Sequence, residues 1–231
     1  MFPHMRPFHL PEHLLIKESL ASPAIFSQNR PVDLEIGCGV GFHSIQRAKK
    51  YPGRNLIAIE HTRIRFQRFA HRVSRHPPMP NLFPVHAHAV SWITKNVPRR
   101  SLSEVFLLYP NPNPQNRSQR WFLMPFWQRL IECLKPGGLV HLATNSPDYA
   151  REAEKAAREL WSLECVFFRT LPSAWNTDFE PRTHFEKKYL RRGETCFDLQ
   201  FLNPNGERGR RSRHGGVKRV PKPASIHRAN L

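Results

Sequence analysis

A chain of 231 residues can bury the core of one α/β domain without metals or disulfides, and is too short for two full domains. Lys and Arg outnumber Asp and Glu by 36 to 18, a formal charge of +18, which exceeds what solubility needs and draws polyanions. Nucleic acid is the expected partner. The cysteines Cys38, Cys133, Cys165 and Cys196 form no Cys-x-x-Cys pair, which argues against a zinc cage or a disulfide scaffold.

In chain order, residues 1–30 read as an N-terminal arm. Met1 to Leu20 is broken by prolines, histidines and charges, so it lacks the apolar centre of a signal peptide, and no later run has the length of a membrane span; a cytoplasmic protein is expected. Val32 to Ile36, Leu56 to Glu60, Leu82 to His86, Val105 to Tyr109 and Leu139 to Thr144 are short apolar runs bounded by turn residues, and each predicts a buried strand. Helical stretches fall between them at Phe42 to Tyr51, Arg63 to Ser74, briefly at Val90 to Asn96, and at Arg120 to Leu134. Within the last, Trp121, Phe122, Phe126, Trp127 and Leu130 recur at helical spacing and read as core. Beyond Thr144 come a helix from about Pro147 to Leu160, a run at Leu163 to Phe168, a Pro-rich connection and a run at Thr195 to Leu202.

This alternation predicts an α/β domain over residues 31–202: a doubly wound, mostly parallel, Rossmann-like seven-stranded sheet with right-handed crossovers and helices on both faces. The last two runs are expected to pair antiparallel at one edge. From Asn203 onward basic residues alternate with Gly and Pro and leave little to bury, so 203–231 predicts a disordered basic tail.

The sharpest local signal is Val32-Asp33-Leu34-Glu35-Ile36 followed by Gly37-Cys38-Gly39-Val40-Gly41. Three glycines at alternate positions, after a buried strand and before a helix, allow a sharp turn and close approach of a ligand to the backbone. A dinucleotide turn needs its third small residue at position 42, which is Phe42, and no Gly-Lys-Ser/Thr follows to make a P-loop. Glu60 closes the second strand, where an acid accepts both hydroxyls of a ribose. With the Leu134-Lys135-Pro136-Gly137-Gly138 turn, these features point to S-adenosylmethionine (SAM), bound at the switch point of the sheet.

Several motifs in order resemble the bacterial tRNA (guanine-N7)-methyltransferase family, class I SAM-dependent enzymes, from about Leu34 to Phe201. LEIGCGVG resembles the family's cofactor turn, AIEHTR its second-strand acid, YPNPNPQNR its Phe-Pro-Asp-Pro-Trp loop, and HLATNSPDYA its fifth strand and the following turn. RTHFEKKYLRRGETCFDLQF resembles its Thr-x-Phe-Glu segment and closing strand. The resemblance implies methyl transfer from SAM to guanine N7 in tRNA. It places Glu35, Gly37, Gly39, Gly41, Glu60 and His88 on the cofactor, Asn111 at the methyl-transfer position, and Gln115, Arg117, Asn145, Thr183 and Glu186 on the substrate side. Departures cluster in the catalytic half: Asn111 stands for the family's aspartate, Asn113 and Gln115 for its tryptophan and lysine, His88 for an acid or amide, and Asn145 for an aspartate.

Guanine N7 carries a free lone pair, so its methylation needs no proton removed and depends on positioning. The product is cationic, and a carboxylate stabilises that charge better than the amide of Asn111 does. Two alternatives stay open: a catalytically weakened relative that binds SAM and RNA, and an amino-methyltransferase acting on another base, which uses an Asn-Pro loop at this strand end. Arg117, Arg120, Lys187, Lys188, Arg191 and Arg192 are candidate phosphate contacts. No His-x-x-x-His spacing with a carboxylate occurs, so no metal is expected. The expected partner is tRNA or another structured RNA, and the protein is expected to be a monomer or a homodimer.

Overall fold

The computed structural model describes residues 7–9, 24–112, 115–171 and 180–204. Most of the N-terminal arm, Asn113 and the tail beyond residue 204 lie outside them.

Seven strands form one sheet: β1 (Val32–Ile36), β2 (Asn55–Glu60), β3 (Leu82–His86), β4 (Leu102–Leu108), β5 (Leu134–Thr144), β6 (Glu164–Leu171) and β7 (Cys196–Leu202). They lie in the order β3-β2-β1-β4-β5-β7-β6. The pairs β1·β2, β1·β4, β2·β3 and β4·β5 are parallel, whereas β7 runs antiparallel to both β5 and β6. The antiparallel pairing expected at this edge is present, with β7 lying inside β6. Every residue of β1 and β2 is buried, as a central parallel strand covered on both faces requires.

Among the described residues six α-helices complete the fold: α1 (Phe42–Lys50), α2 (Arg63–Ser74), α3 (Ala89–Asn96), α4 (Trp127–Cys133), α5 (Pro147–Glu159) and α6 (His184–Arg191). On one face α1 and α2 close over Cys38, Ile45, Ala48, Leu56, Ala58, Phe69 and Leu82. The other face holds the larger core, in which Leu34, Ile36 and Leu107 meet Ile93 of α3, Trp127 and Leu130 of α4 and the alanines 150, 153, 156 and 157 of α5. Those alanines recur every three or four residues, so α5 lies close against the sheet. Ser146 caps it, accepting the N–H of Tyr149 at 3.3 Å, and Pro147 begins it without losing a bond.

Three sequence expectations change. The helix predicted from Arg120 to Leu134 is broken into a 3₁₀ turn at Trp121–Leu123, preceded by another at Arg117–Gln119, and the shorter α4. Pro125 donates no hydrogen bond and forces Met124 into extended backbone (ψ 135°). Phe122, Phe126, Trp127 and Leu130 are nonetheless fully buried. Second, Leu134 to Gly138 opens β5 instead of preceding it: its register against β4 jumps there, Gly137 turns at φ 73°, and its N–H reaches Asn203 O at 2.8 Å. That stretch is at the amino end of β5, on the sheet edge opposite the glycine turn, so it contributes nothing to a cofactor site. Third, the Pro-rich connection contains α6, capped by Thr183.

Candidate active site

The turn after β1 is a sequence of left-handed backbone positions. Gly37, Gly39 and Gly41 have φ of 73°, 60° and 76°, a region open to glycine at little cost. The N–H groups of Gly37 and Cys38 both donate to Ile59 O, at 2.8 and 3.0 Å, which locks the turn to β2. The three glycines serve different ends. A Cβ on Gly37 or Gly39 meets nothing within 4 Å, whereas one on Gly41 comes within 1.9 Å of the Phe69 ring. Gly41 therefore lets α2 pack against the start of α1, a structural role beside the cofactor contact expected of it. Between them the Cys38 thiol is pushed strongly upward in pKa by burial and by the Glu35 and Glu60 carboxylates, and stays neutral.

Two buried carboxylates flank the turn. Glu60, at the end of β2, accepts the Gly39 N–H at 2.9 Å on one oxygen and the Thr62 N–H at 2.7 Å on the other. His61 Nδ1 lies 3.5 Å from the oxygen that takes the Thr62 N–H, and each carboxylate oxygen can accept more than one hydrogen bond. Glu35 receives the Ser44 hydroxyl at 2.6 Å, and His43 Nδ1 lies 3.0 Å away; both contacts fall on Oε2.

The cleft in front of this turn is lined by Glu35, Gly37 and Gly39 on one side and by Leu108, Thr183 and His184 on the other. Phe42 and His184 close one end, ring centroids 4.7 Å apart. Burial, together with the charges of Arg72 and Lys187, lowers the pKa of His184 and favours its neutral ring. Thr183 reaches the cleft as the cap of α6, its hydroxyl accepting the Glu186 N–H at 3.0 Å.

Glu186 departs from its expected place on the substrate. It is wholly buried and accepts the Tyr109 hydroxyl at 2.9 Å, the Arg182 N–H at 2.7 Å and the Arg182 guanidinium at 2.7 Å. Arg182 also reaches Asp198 of β7 at 2.9 Å. The carboxylate therefore pins α6 to β7 and to the exit of β4. Tyr109 itself sits at φ 55°, and its N–H donates to Ala143 O at 2.7 Å, so the loop beyond β4 leaves at a fixed angle.

That loop carries Asn111, exposed at the carboxyl edge of the sheet. Arg120 holds it from behind, with Nε donating to Pro112 O at 2.6 Å and Nη1 to Glu152 at 2.7 Å. Arg117 pairs with the same Glu152. Arg120 is buried and so is a loop anchor, not the phosphate contact its sequence position suggested. Gln115 is exposed, and Asn145 donates to Glu194 at 2.8 Å. His88 precedes α3, exposed and without a side-chain cap bond. Thus Glu35, Gly37, Gly39 and Thr183 are gathered in the cleft with Glu60 behind the turn, while His88, Asn111, Gln115, Arg117 and Asn145 do not line it. Phe42, named in the sequence only as the residue that excludes a dinucleotide turn, also lines it, as do Leu108, His184 and Phe185, which were not predicted as site residues; the Thr183-x-x-Glu186 spacing, a helix-start pattern, was the available signal for the last two. Among the described residues there is no group of three metal-ligating side chains, and no helix is long and apolar enough to cross a membrane.

A family model described as "Putative methyltransferase" matches residues 29–199. A tRNA (guanine-N(7)-)-methyltransferase of Mycobacterium leprae is 34% identical over 185 residues, 79% of this chain and 79% of the relative. One of Bordetella pertussis is 32% identical over 181 residues, 77% of this chain and 69% of the relative. Among solved structures, the 16S rRNA methyltransferase KamB superposes with a TM-score of 0.56 at 18% identity, covering 77% of this chain and 90% of its own. A 16S rRNA (adenine(1408)-N(1))-methyltransferase from Catenulisporales acidiphilia, solved with SAM, gives 0.56 at 15% identity over 87% and 95%; both likenesses concern the fold.

Proposed function

The chain belongs to the methyltransferase family matched over residues 29–199, with the tRNA (guanine-N7)-methyltransferases as its relatives, and from that premise we propose that it methylates N7 of a guanine in tRNA. SAM is its cofactor; when bound, it supplies an electrophilic methyl group on a sulfonium. The residues at the glycine turn fit it. Gly37 and Gly39 offer open backbone, Glu60 holds acceptor sites for the ribose hydroxyls, and Glu35 presents negative charge fixed by Ser44.

The observation that carries this reading is the Glu60 carboxylate, held by Gly39 and Thr62 immediately behind the open turn. A carboxylate oriented before binding loses little freedom when a ribose arrives. On the substrate side, Thr183 and the exposed loop at Asn111 hold the guanine, with its N7 lone pair toward the methyl. No base is needed, so positioning by this loop is the main work of the protein. The Arg120 and Arg117 bonds to Glu152 keep the loop at the carboxyl edge, where the methyl is transferred.

The test is incubation of the full chain with SAM and an unmodified tRNA transcript, followed by nuclease digestion and mass spectrometry. The expected product is 7-methylguanosine. Methylation of an adenine or cytosine amine instead, or no methylation at all, overturns the proposal.

A further inference from the structure

Among the described residues, α2 beside the cleft is the helix that carries the most arginines. Arg63, Arg65, Arg68 and Arg72 lie on it, Arg75 follows it directly, and the helix contains no acid. None of the five forms an ion pair among the described residues. Two of them occupy the first turn, where the helix dipole disfavours cations. A sequence that sets local stability aside in this way does so at functional surfaces.

The arginines are also ordered. Positions 65, 68, 72 and 75 are three and four residues apart, so they share one face over about 15 Å at 1.5 Å per residue. Arg65, Arg68 and Arg75 are exposed, and Arg72 is half-buried. The apolar side of α2 is turned elsewhere: Phe69 is fully buried, with Phe66 and Val73 packed beside it. Arg72 of this stripe and Lys187 of α6 both act on His184, which lines the cleft, so the basic faces of two helices converge on its rim.

We propose that this face of α2 is a phosphate-backbone track, along which a folded RNA lies so that its target base enters the cleft at His184 and Thr183. The proposal rests on the assignment of an RNA substrate. An anionic membrane fits less well, because a membrane-surface helix needs a free apolar face, and on α2 Phe66, Phe69 and Val73 pack into the core, leaving Ile64 as its one exposed large apolar side chain. A row of exposed guanidinium groups that form no ion pair among the described residues matches the repeated phosphates of an RNA strand.

The experiment compares the full chain with the variants Arg65→Ala/Arg68→Ala/Arg75→Ala and Arg65→Lys/Arg68→Lys/Arg75→Lys. It measures tRNA affinity across a salt series, SAM affinity by calorimetry, and binding to phosphatidylserine vesicles. Each phosphate contact contributes about 0.7–0.9 to the slope of log affinity against log salt, so the alanine variant is expected to bind tRNA at least about tenfold more weakly with a slope shallower by about 2. SAM affinity should be unchanged, which also shows that the variant is folded, and the lysine variant should regain most of the tRNA affinity. Unaltered tRNA affinity and slope in the alanine variant overturn the track. So does a variant that loses vesicle binding while keeping its tRNA affinity. A wild-type chain that binds no tRNA overturns the RNA assignment and the track together.

Discussion

The carboxylate of Glu60 accepts the backbone N–H of Gly39 at 2.9 Å, so the acid that closes β2 also shapes the turn that closes β1. Its other oxygen takes the Thr62 N–H at 2.7 Å. Glu60 is therefore a turn fastener as well as the proposed ribose-binding group, and its variants should report both. Glu60→Ala removes two charge-assisted hydrogen bonds, each contributing about 1.5–3 kcal/mol. SAM affinity should fall by roughly 10–100-fold in calorimetry, with a measurable drop in the urea midpoint. In Glu60→Gln one amide must face an N–H with an NH₂, so this variant should fall between wild type and alanine. Wild-type SAM affinity in both would remove the ribose assignment.

Gly41 and Gly39 separate packing from ligand approach. Both lie at positive φ, so alanine at either strains the backbone by on the order of 1 kcal/mol. At Gly41 the new Cβ also meets the Phe69 ring at 1.9 Å, which forces the α1 and α2 contact open, a cost of overpacking of about 1–3 kcal/mol more. Urea denaturation should show Gly41→Ala as the far less stable variant. Gly39→Ala should stay folded and lose SAM affinity, because its methyl projects into open space before the turn.

The first half of the fold was legible because its punctuation is local. β-branched and leucine-rich runs, a glycine turn and a charged helix follow one another without long-range help from Val32 to Asn96. What was not legible depends on partners distant in sequence. Glu186 is made structural by Tyr109, 77 residues away, and Arg120 is made an anchor by Glu152, 32 residues away. Neither contact leaves a mark in the local pattern. Pro125 did leave one, yet the helical spacing of Phe122, Phe126, Trp127 and Leu130 overrode it. Of the cleft, the glycine turn was readable, and the opposite wall was marked by the Thr183-His184-Phe185-Glu186 segment, whose helical start at α6 the surrounding Pro-rich connection concealed.

The Arg182 network makes a stability prediction that a purely substrate-binding Glu186 would not. Arg182 is the counter-charge for both Glu186 and Asp198. Arg182→Ala leaves the buried Glu186 carboxylate without its counter-charge and Asp198 with Arg169, 3.4 Å away, and should lower stability by about 3–5 kcal/mol. Tyr109→Phe removes a single donor and should cost about 1–2 kcal/mol. Equal denaturation midpoints for wild type and Arg182→Ala would show that the network does not hold α6 to β7.

Acid should weaken a second ion cluster, at the amino end of the sheet. Arg47 and Arg54 lie 3.1 and 2.9 Å from Glu104, and His141 Nε2 lies 2.8 Å from it. Burial alone would raise the pKa of Glu104, but the His141 hydrogen bond and the two arginines outweigh it and lower the value from the ordinary 4.5 to about 2. The unfolded chain therefore protonates this group first as pH falls. Its contribution is present in full above about pH 4.5 and is lost between 4.5 and 2. Discounted for its partial exposure to solvent, that contribution is on the order of 1–2 kcal/mol. Glu104→Gln should be less stable than wild type by that amount at pH 6, and the gap should close toward pH 2; a gap independent of pH would contradict the assignment.

Asn111 tests whether the reaction depends on charge or on placement. Methylation at N7 leaves the purine cationic, and a carboxylate at the transfer position stabilises the charge as it develops. Asn111 is exposed at the edge of the cleft region, where solvent weakens any such interaction. Asn111→Asp should therefore raise the single-turnover rate by about tenfold, equivalent to about 1.4 kcal/mol of barrier, rather than by many orders of magnitude. The loop itself should keep its geometry, because it is held by Arg120 at Pro112 O and not by the Asn111 side chain alone. Asn111→Ala separates the two effects: a loss in kcat with unchanged tRNA affinity marks the amide as a group acting on the reacting base. If the aspartate variant is slower than wild type, the amide is itself the functional group, holding a donor on the substrate that a carboxylate cannot match, and the amine of another base becomes the expected acceptor.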